Sequence, residues 1–292
     1  MDSVKIQSLL GRGGFAVVHK ATSNIFPTPI ALKRISKHRV EEERLVRLVE
    51  NEVSIQNSCE HPNIVKFHDY FEDDKYINII LELCQGGDCA QLLRKEGKFP
   101  QRRVISYVKQ LLHALEYLHR HNIYHRDVKL SNMFLQKASQ PDQYTVKLGD
   151  FGLAKQISSE NVKESEEEEQ IDHTICGTKL CMAPEVIWGR PQGPPADIFS
   201  VGVVAYTMLV GKNPFQRSHV KKKNRILNEE GGVGEEQQQQ EEEEAFPLSS
   251  AMERIGRGSF TIPSHVTPEA ADFIRNAMCV DPTQRRNSFI VY

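Results

Sequence analysis

The sequence predicts an α+β fold, a strand-rich N-terminal part followed by a mainly helical one, in one large or two closely joined lobes. Three observations carry that reading. Residues 4–35 alternate in polarity and are rich in β-branched side chains, broken by Gly11-Arg12-Gly13-Gly14, the pattern of strands joined by a glycine turn. Between Phe99 and His121, the residues Val104, Ile105, Val108, Leu111, Leu112, Leu115 and Leu118 recur at helical spacing. The 292 residues exceed a typical single domain, and a 39% hydrophobic content supplies a sizeable core.

Composition narrows the classes of partner. A formal net charge of −2 argues against a general nucleic-acid or membrane-surface binder. The six cysteines (Cys59, Cys84, Cys89, Cys176, Cys181 and Cys279) include no C-x-x-C pair, which fits free thiols in a reducing compartment better than disulfides or a zinc site. The start, Met1-Asp2-Ser3-Val4-Lys5-Ile6, lacks the apolar run of a signal peptide, and no apolar run is long enough to span a bilayer. The expectation is a cytoplasmic or nuclear protein.

In chain order, residues 4–35 read as strand, glycine turn, strand, loop and strand, the last holding Ile30-Ala31-Leu32-Lys33. Glycines in the first turn let the backbone approach phosphates with no Cβ in the way. An ordinary hairpin turn is the plainer alternative. A dinucleotide fold would place a helix after such glycines, and here another strand follows. A basic turn, Lys37-His38-Arg39, leads into an amphipathic helix over Val40–Cys59, with Val40, Leu45, Leu48, Val49, Val53 and Ile55 inward. Its glutamates, Glu41, Glu42, Glu43, Glu50 and Glu52, form mostly a solvated face. His61-Pro62-Asn63-Ile64-Val65 reads as a turn into a strand, and Tyr76–Leu83 as the next strand.

The long helix then runs into His125-Arg126-Asp127-Val128-Lys129-Leu130-Ser131-Asn132, and Asp150-Phe151-Gly152 follow a polar hairpin loop at residues 136–144. This collects the parts needed to move a phosphoryl group. An acid can orient a hydroxyl and accept its proton, and a lysine can neutralise charge on the phosphate. An amide and a second acid can hold Mg²⁺ through oxygen, as a hard cation requires. His113, His119 and His121 match no metal-ligand spacing and read as surface or core histidines. Residues 158–170 are dominated by glutamate, and residues 216–248 form a low-complexity stretch with Lys221-Lys222-Lys223, glutamines and glutamates (229–244). Asp197–Val210 reads as a buried helix too short for a membrane, and Glu269–Met278 as another helix.

The motifs resemble those of the eukaryotic protein kinases, whose catalytic loop reads H-R-D-x-K-x-x-N and whose metal loop reads D-F-G. The resemblance implies a bilobal protein-kinase fold, with a five-stranded antiparallel sheet and one helix in an N-terminal lobe (1–84, hinge included) and a mainly helical lobe at 85–292. It implies ATP as substrate, Mg²⁺ as cofactor, and proteins with Ser/Thr acceptors as partners, with no nucleic acid and no membrane. Carried over residue by residue, it makes Asp127 the catalytic base and Lys129 the cation beside the transferring phosphate. Asn132 and Asp150 become the metal ligands, and Lys33 the contact to the α- and β-phosphates. Glu52 is its expected ion-pair partner, with Glu50 as the rival. The nucleotide site would comprise Leu10, Gly11, Arg12, Gly13, Gly14, Phe15, Ala16, Val18, Ala31 and Lys33, then Leu81 at the back of the pocket. Glu82 and Cys84 would offer hinge backbone groups, and Asp88 would lie within reach of the ribose. Thr174 is the expected activating phosphosite and Arg126 its partner, with Thr178 contacting the catalytic loop. Ala183-Pro184-Glu185 match A-P-E and Arg285 lies in a D-P-x-x-R match, so Glu185 and Arg285 are expected to form a buried pair. Asp197 is expected to brace the catalytic loop, and His125 to support the metal loop from beneath.

Gly13-Gly14-Phe15-Ala16, Tyr70-Phe71-Glu72-Asp73 and Thr174-Ile175-Cys176-Gly177-Thr178 look like the polo-like kinases. Leu81-Glu82-Leu83-Cys84 and Lys129-Leu130-Ser131-Asn132 are most similar to the centriole-duplication branch, although Lys129 is more like the mitotic branch. That resemblance implies control by activation-loop phosphorylation, a role in cell-cycle or centriole control, and a cytoplasmic, centrosomal or nuclear location. The acidic run near Thr174 is expected to mimic part of the phosphate charge. The chain ends at Tyr292, short of that family's usual last helix and with no polo-box domain, as a truncated chain would. A non-catalytic scaffold of the same fold, an Aurora-like or calmodulin-dependent-like Ser/Thr kinase, and a small-molecule phosphotransferase are the alternatives.

Overall fold

A computed structural model of the chain describes residues 4–13, 16–39, 43–138, 143–157, 178–216 and 248–285. The stretches at 158–170 and 229–244, the lysines at 221–223, and Gly14, Phe15, Thr174 and Gly177 lie outside the described residues.

Five strands open the fold: β1 (Lys5–Arg12), β2 (Ala16–Thr22), β3 (Ile30–Ser36), β4 (Phe67–Glu72) and β5 (Tyr76–Glu82). They form one antiparallel sheet in the order β1-β2-β3-β5-β4. The period-2 alternation of the sequence sorts side chains onto two faces. One carries Ala21, Ile30, Leu32 and Ile80. The other carries Ile35 and Ile79, and onto it packs α1 (Glu43–Ser58) through Val46, Val49 and Val53. Of the predicted Val40–Cys59 helix, Val40, Glu41 and Glu42 lie outside the described residues, and a 3-10 turn stands at Lys37–Arg39. Leu48, expected inward, is exposed; it lies about 100° round the helix from Val49, beyond the packed stripe.

The helical part comprises α2 (Cys89–Glu96), α3 (Gln101–Arg120), α4 (Pro184–Ile187), α5 (Pro194–Val210), α6 (Leu248–Gly256) and α7 (Pro268–Ala277). Two short strand pairings sit among them, β6 (Ile123–Tyr124) with β9 (Lys155–Gln156) and β7 (Met133–Lys137) with β8 (Tyr144–Leu148), together with isolated bridges such as Ile64 to Leu148. The helix α5 is the axis of this core, buried from Ala196 to Tyr206, with Asp197 its only charged residue. At Gly202 a Cβ would stand 2.6 Å from Met278 Cγ, so glycine is required where α5 meets the end of α7. Along α3 the predicted apolar residues are buried except Ile105, which faces solvent, while Tyr107 and Ala114 take inward positions. The five described cysteines are free thiols. No helix among the described residues is long and apolar enough to cross a membrane.

Candidate active site

The sheet register gathers one wall of the site. Gly11 pairs with Val18, Val18 with Lys33, Lys33 with Ile79, and Ala31 with Leu81. Directly opposed residues share a face, so these side chains line the α1 side of the sheet. Gly13 N donates to Ala16 O at 2.8 Å across the glycine turn, and Leu10, Arg12 and Gly13 are exposed around it. The α1 packing carries Glu52 inward, and its Oε1 lies 2.5 Å from Lys33 Nζ. Glu50, two residues earlier, faces solvent, so the structure brings Glu52 and not its rival to the lysine. Lys33 Nζ also lies 3.1 Å from Asp150 Oδ1.

The electrostatics of this triad are mutual. Burial works against the Lys33 ammonium, but the Asp150 and Glu52 carboxylates outweigh it and hold its pKa above the ordinary value. Lys33 holds the Asp150 carboxyl below the ordinary range. Burial raises Glu52, with Lys33 opposing. The Asp150 side chain is 44% exposed while Glu52 is 5% exposed, so the triad has a dry end and an open end.

From Glu82 at the end of β5 the chain passes Cys84 into Gly86-Gly87-Asp88. Glu82 N donates to Lys66 O, and burial pushes the half-buried Cys84 thiol up to about 12. Gly86 N donates to Leu135 O at 2.7 Å. A Cβ there would stand 2.6 Å from that oxygen and 2.7 Å from Tyr144 Cε1, so this strap can lie on β7 only as glycine. Asp88 caps α2: its Oδ1 accepts from Gln91 N at 2.8 Å, and burial raises its pKa.

The catalytic loop hangs on Asp197. Its Oδ2 is 2.8 Å from His119 Nε2 and accepts from His125 N at 3.0 Å, and its Oδ1 accepts from Arg126 N at 2.8 Å. Burial alone would raise this carboxyl; the hydrogen bond and charge of His119 and the backbone donors hold it low. Arg126 adopts φ 66° and Asp150 φ 63°, left-handed conformations that cost about 1–3 kcal/mol each and persist only when the surroundings over-determine them. His125 is fully buried, with Nε2 3.2 Å from Gly149 O and its ring edge-on to Phe151 at 5.0 Å. Arg126 Nε donates to Gln192 Oε1 at 2.9 Å.

Asp127 has two unlike oxygens. Oδ2 accepts from Lys129 Nζ at 2.7 Å and from Asn132 Nδ2 at 2.9 Å. Oδ1 is buried and, among the described residues, has no hydrogen-bond partner. Burial raises this carboxyl and Lys129 opposes the rise. The Asn132 amide also donates to Asp127 O at 2.9 Å, which leaves its own Oδ1 as the remaining acceptor. Asn132 Oδ1 and the open carboxylate of Asp150 make a hard oxygen set that suits Mg²⁺, which typically takes one or two protein oxygens and completes its shell with water and phosphate.

Farther out, Glu185 and Arg285 meet in a bidentate pair at 2.5 and 2.8 Å. Ser200 Oγ donates to Cys181 O and Asn213 Nδ2 to Leu180 O, which ties residues 180–181 to α5 and the loop after it. Thr174 lies outside the described residues, as does the Thr178 side chain. Four contributors lie outside the sequence reading: His119 as a partner of Asp197, Gln192 beside Arg126, Lys147 on β8, and Asn63, which bonds to Val146 O and Leu148 N of β8. The buried face of α3 could have singled out His119. The other three look like ordinary polar residues until tertiary contacts exist.

With this geometry in view, the comparisons with known proteins fall into place. The protein kinase domain family matches residues 4–289, so the chain belongs to the protein kinases. Among its relatives are proteins called serine/threonine-protein kinase PLK4, and the polo-like resemblance read from the motifs agrees with them. The one from Drosophila grimshawi is 32% identical over 287 residues, covering 98% of this chain and 32% of that protein. The Aedes aegypti protein is 32% identical over 286 residues, and the Drosophila melanogaster protein 31% over 286, with the same two coverages. The chain thus spans about a third of the length of these relatives.

Proposed function

We propose that the chain is the catalytic domain of a polo-like serine/threonine kinase, transferring the γ-phosphate of ATP to Ser or Thr hydroxyls of proteins. The observation that carries this reading is the buried, unpartnered Oδ1 of Asp127 beside a second oxygen fully engaged by Lys129 and Asn132. An orphaned buried acceptor costs about 1–3 kcal/mol, and an incoming hydroxyl donor relieves it. Asp127 Oδ1 then orients the acceptor hydroxyl and takes its proton, while Lys129 balances charge on the transferring group. Phosphoryl transfer has a loose transition state that asks chiefly for such positioning and charge stabilisation. Lys33, held by Glu52, contacts the α- and β-phosphates. The sheet wall from Gly11 to Ala31 and the hinge backbone at Glu82 and Cys84 receive the base, and Asp88 lies within reach of the ribose. Mg²⁺ bound through Asn132 and Asp150 supplies neutralisation of phosphate charge. The Asp197 contacts hold this loop in its strained conformation, and Glu185–Arg285 secures the segment that docks the peptide.

Regulation by phosphate on Thr174, read by Arg126, and a role in cell-cycle or centriole control at a cytoplasmic or centrosomal location extend the same reading. They rest on the polo-like motifs and on the relatives named PLK4. Radiolabelled transfer from Mg·ATP to an acidic Ser/Thr protein tests the reading, with Asp150→Ala as control and the products mapped for Thr174. Label on Ser/Thr that vanishes in the control is the expected result. Failure of transfer, with nucleotide bound and Thr174 phosphorylated, points to the scaffold instead. Undiminished activity in Thr174→Ala is expected if the acidic run near it substitutes for phosphate.

A further inference from the structure

The hinge strap is fastened to the β7–β8 hairpin at both of its ends. At the far end the ties are backbone: Gly86 N donates to Leu135 O at 2.7 Å, Leu135 N donates to Gly87 O at 2.9 Å, and Asp88 bridges to Phe134. At the near end the tie is a pair of charges. Glu82 Oε2 lies 3.0 Å from Lys147 Nζ and accepts from Lys66 N at 3.1 Å, so one carboxylate joins the end of β5, the start of β4 and the middle of β8. Both side chains are largely shielded, with 12% exposure for Lys147 and 24% for Glu82. The other side of β8 is clamped by Asn63, whose Nδ2 donates to Val146 O at 2.9 Å and whose O accepts from Leu148 N at 2.8 Å.

What this hairpin carries gives the tie its meaning. Asn132 immediately precedes β7, and Asp150 stands two residues after β8. The strap that would receive the adenine is therefore held to the same hairpin whose open end bears both candidate metal ligands. We propose that Glu82 and Lys147 are positioning residues that set the span between the base-binding strap and the metal ligands, and so pre-organise the cleft for nucleotide. Neither side chain need touch nucleotide for this. The inference rests on the reading of the cleft as an ATP site.

The test is the affinity for Mg·ADP, measured by calorimetry on the whole chain, for Lys147→Met, Lys147→Arg, Glu82→Lys and the exchanged pair Glu82→Lys with Lys147→Glu. A partly shielded ion pair contributes on the order of 1 kcal/mol, so Lys147→Met and Glu82→Lys are expected to weaken binding about three- to fivefold. Lys147→Arg keeps the charge and is expected to stay within about twofold of the wild type, and the exchanged pair, which restores the ion pair but not the bond from Lys66 N, to regain part of the loss. Melting temperature without nucleotide is followed for the same variants, and a merely structural role would lower it in step with the affinity. Lys147→Met binding as tightly as wild type, or an exchanged pair no better than either single variant, overturns the positioning role alone. Wild-type protein that binds no Mg·ADP overturns the nucleotide reading, and this role with it.

Discussion

Two buried ion-pair systems, one at the cleft and one farther out, differ in how completely their hydrogen-bonding capacity is filled. At Glu185–Arg285 the guanidinium gives two bonds to the carboxylate and others to Cys279 O, Pro195 O and Val280 O. Every donor is spent, the pair is dry, and it stacks over Phe199. Lys33, Glu52 and Asp150 form a chain that is dry at Glu52 and open at Asp150, and Asp127 keeps one oxygen without a hydrogen-bond partner among the described residues. A saturated pair can only hold structure, whereas an unsaturated one keeps capacity for something that arrives. Burial and charge alone do not separate the two.

That contrast predicts which variants lose chemistry and which lose the fold. Asp127→Asn keeps the shape of the loop but removes the acceptor, so kcat is expected to fall about 10²- to 10⁴-fold with an unchanged melting temperature. Arg285→Ala strands a buried carboxylate, and an equilibrium denaturation midpoint should record a loss of about 3–5 kcal/mol. A folded Arg285→Ala variant without loss of stability would contradict the saturated-pair account. A subtler discrimination comes from pH. Burial holds Asp127 above the ordinary Asp value near 4 and Lys129 opposes it, so Lys129→Met should move the acid limb of the kcat profile to higher pH. An unmoved limb would mean that another group governs it. The smallest effect concerns stability in acid. The folded Asp197 carboxyl is held below its unfolded value near 4, so its contribution is full above that value and is lost as pH falls through the folded one. Asp197→Asn, less stable at neutral pH, should therefore show a shallower loss of stability below about pH 4 when melting temperature is followed against pH.

Much of this was legible beforehand because local patterns report local structure. Alternation gave the strands around Lys33, and the 3.6-residue period gave α3 and α5. The catalytic and metal loops are linear motifs that need no tertiary knowledge to find. Legibility ended where packing chooses between neighbours. Glu50 and Glu52 lie on opposite sides of α1, about 200° apart, and only the seating of Val46, Val49 and Val53 on the sheet selects Glu52. Leu48 and Ile105 are apolar yet exposed because an apolar stripe has edges that composition does not mark. Short α2 has too few turns for its period to mark it, and the local signal for it is Asp88, a cap residue whose side chain accepts from Gln91 N. The unequal oxygens of Asp127 depend on where Lys129 and Asn132 reach, which no linear pattern records.

Asp197 bears on how variants of this chain would be interpreted. It lies buried in α5, yet its carboxylate accepts from His125 N and Arg126 N and so sets the backbone of the loop that carries Asp127, while a third contact ties it to His119 of α3. A survey scored only by activity would group it with Asp127, and a map of inactivating substitutions would extend the apparent catalytic centre into the hydrophobic interior. Scoring the same library by protein abundance would divide them: substitutions at Asp197 deplete the protein, and those at Asp127 leave it plentiful and silent.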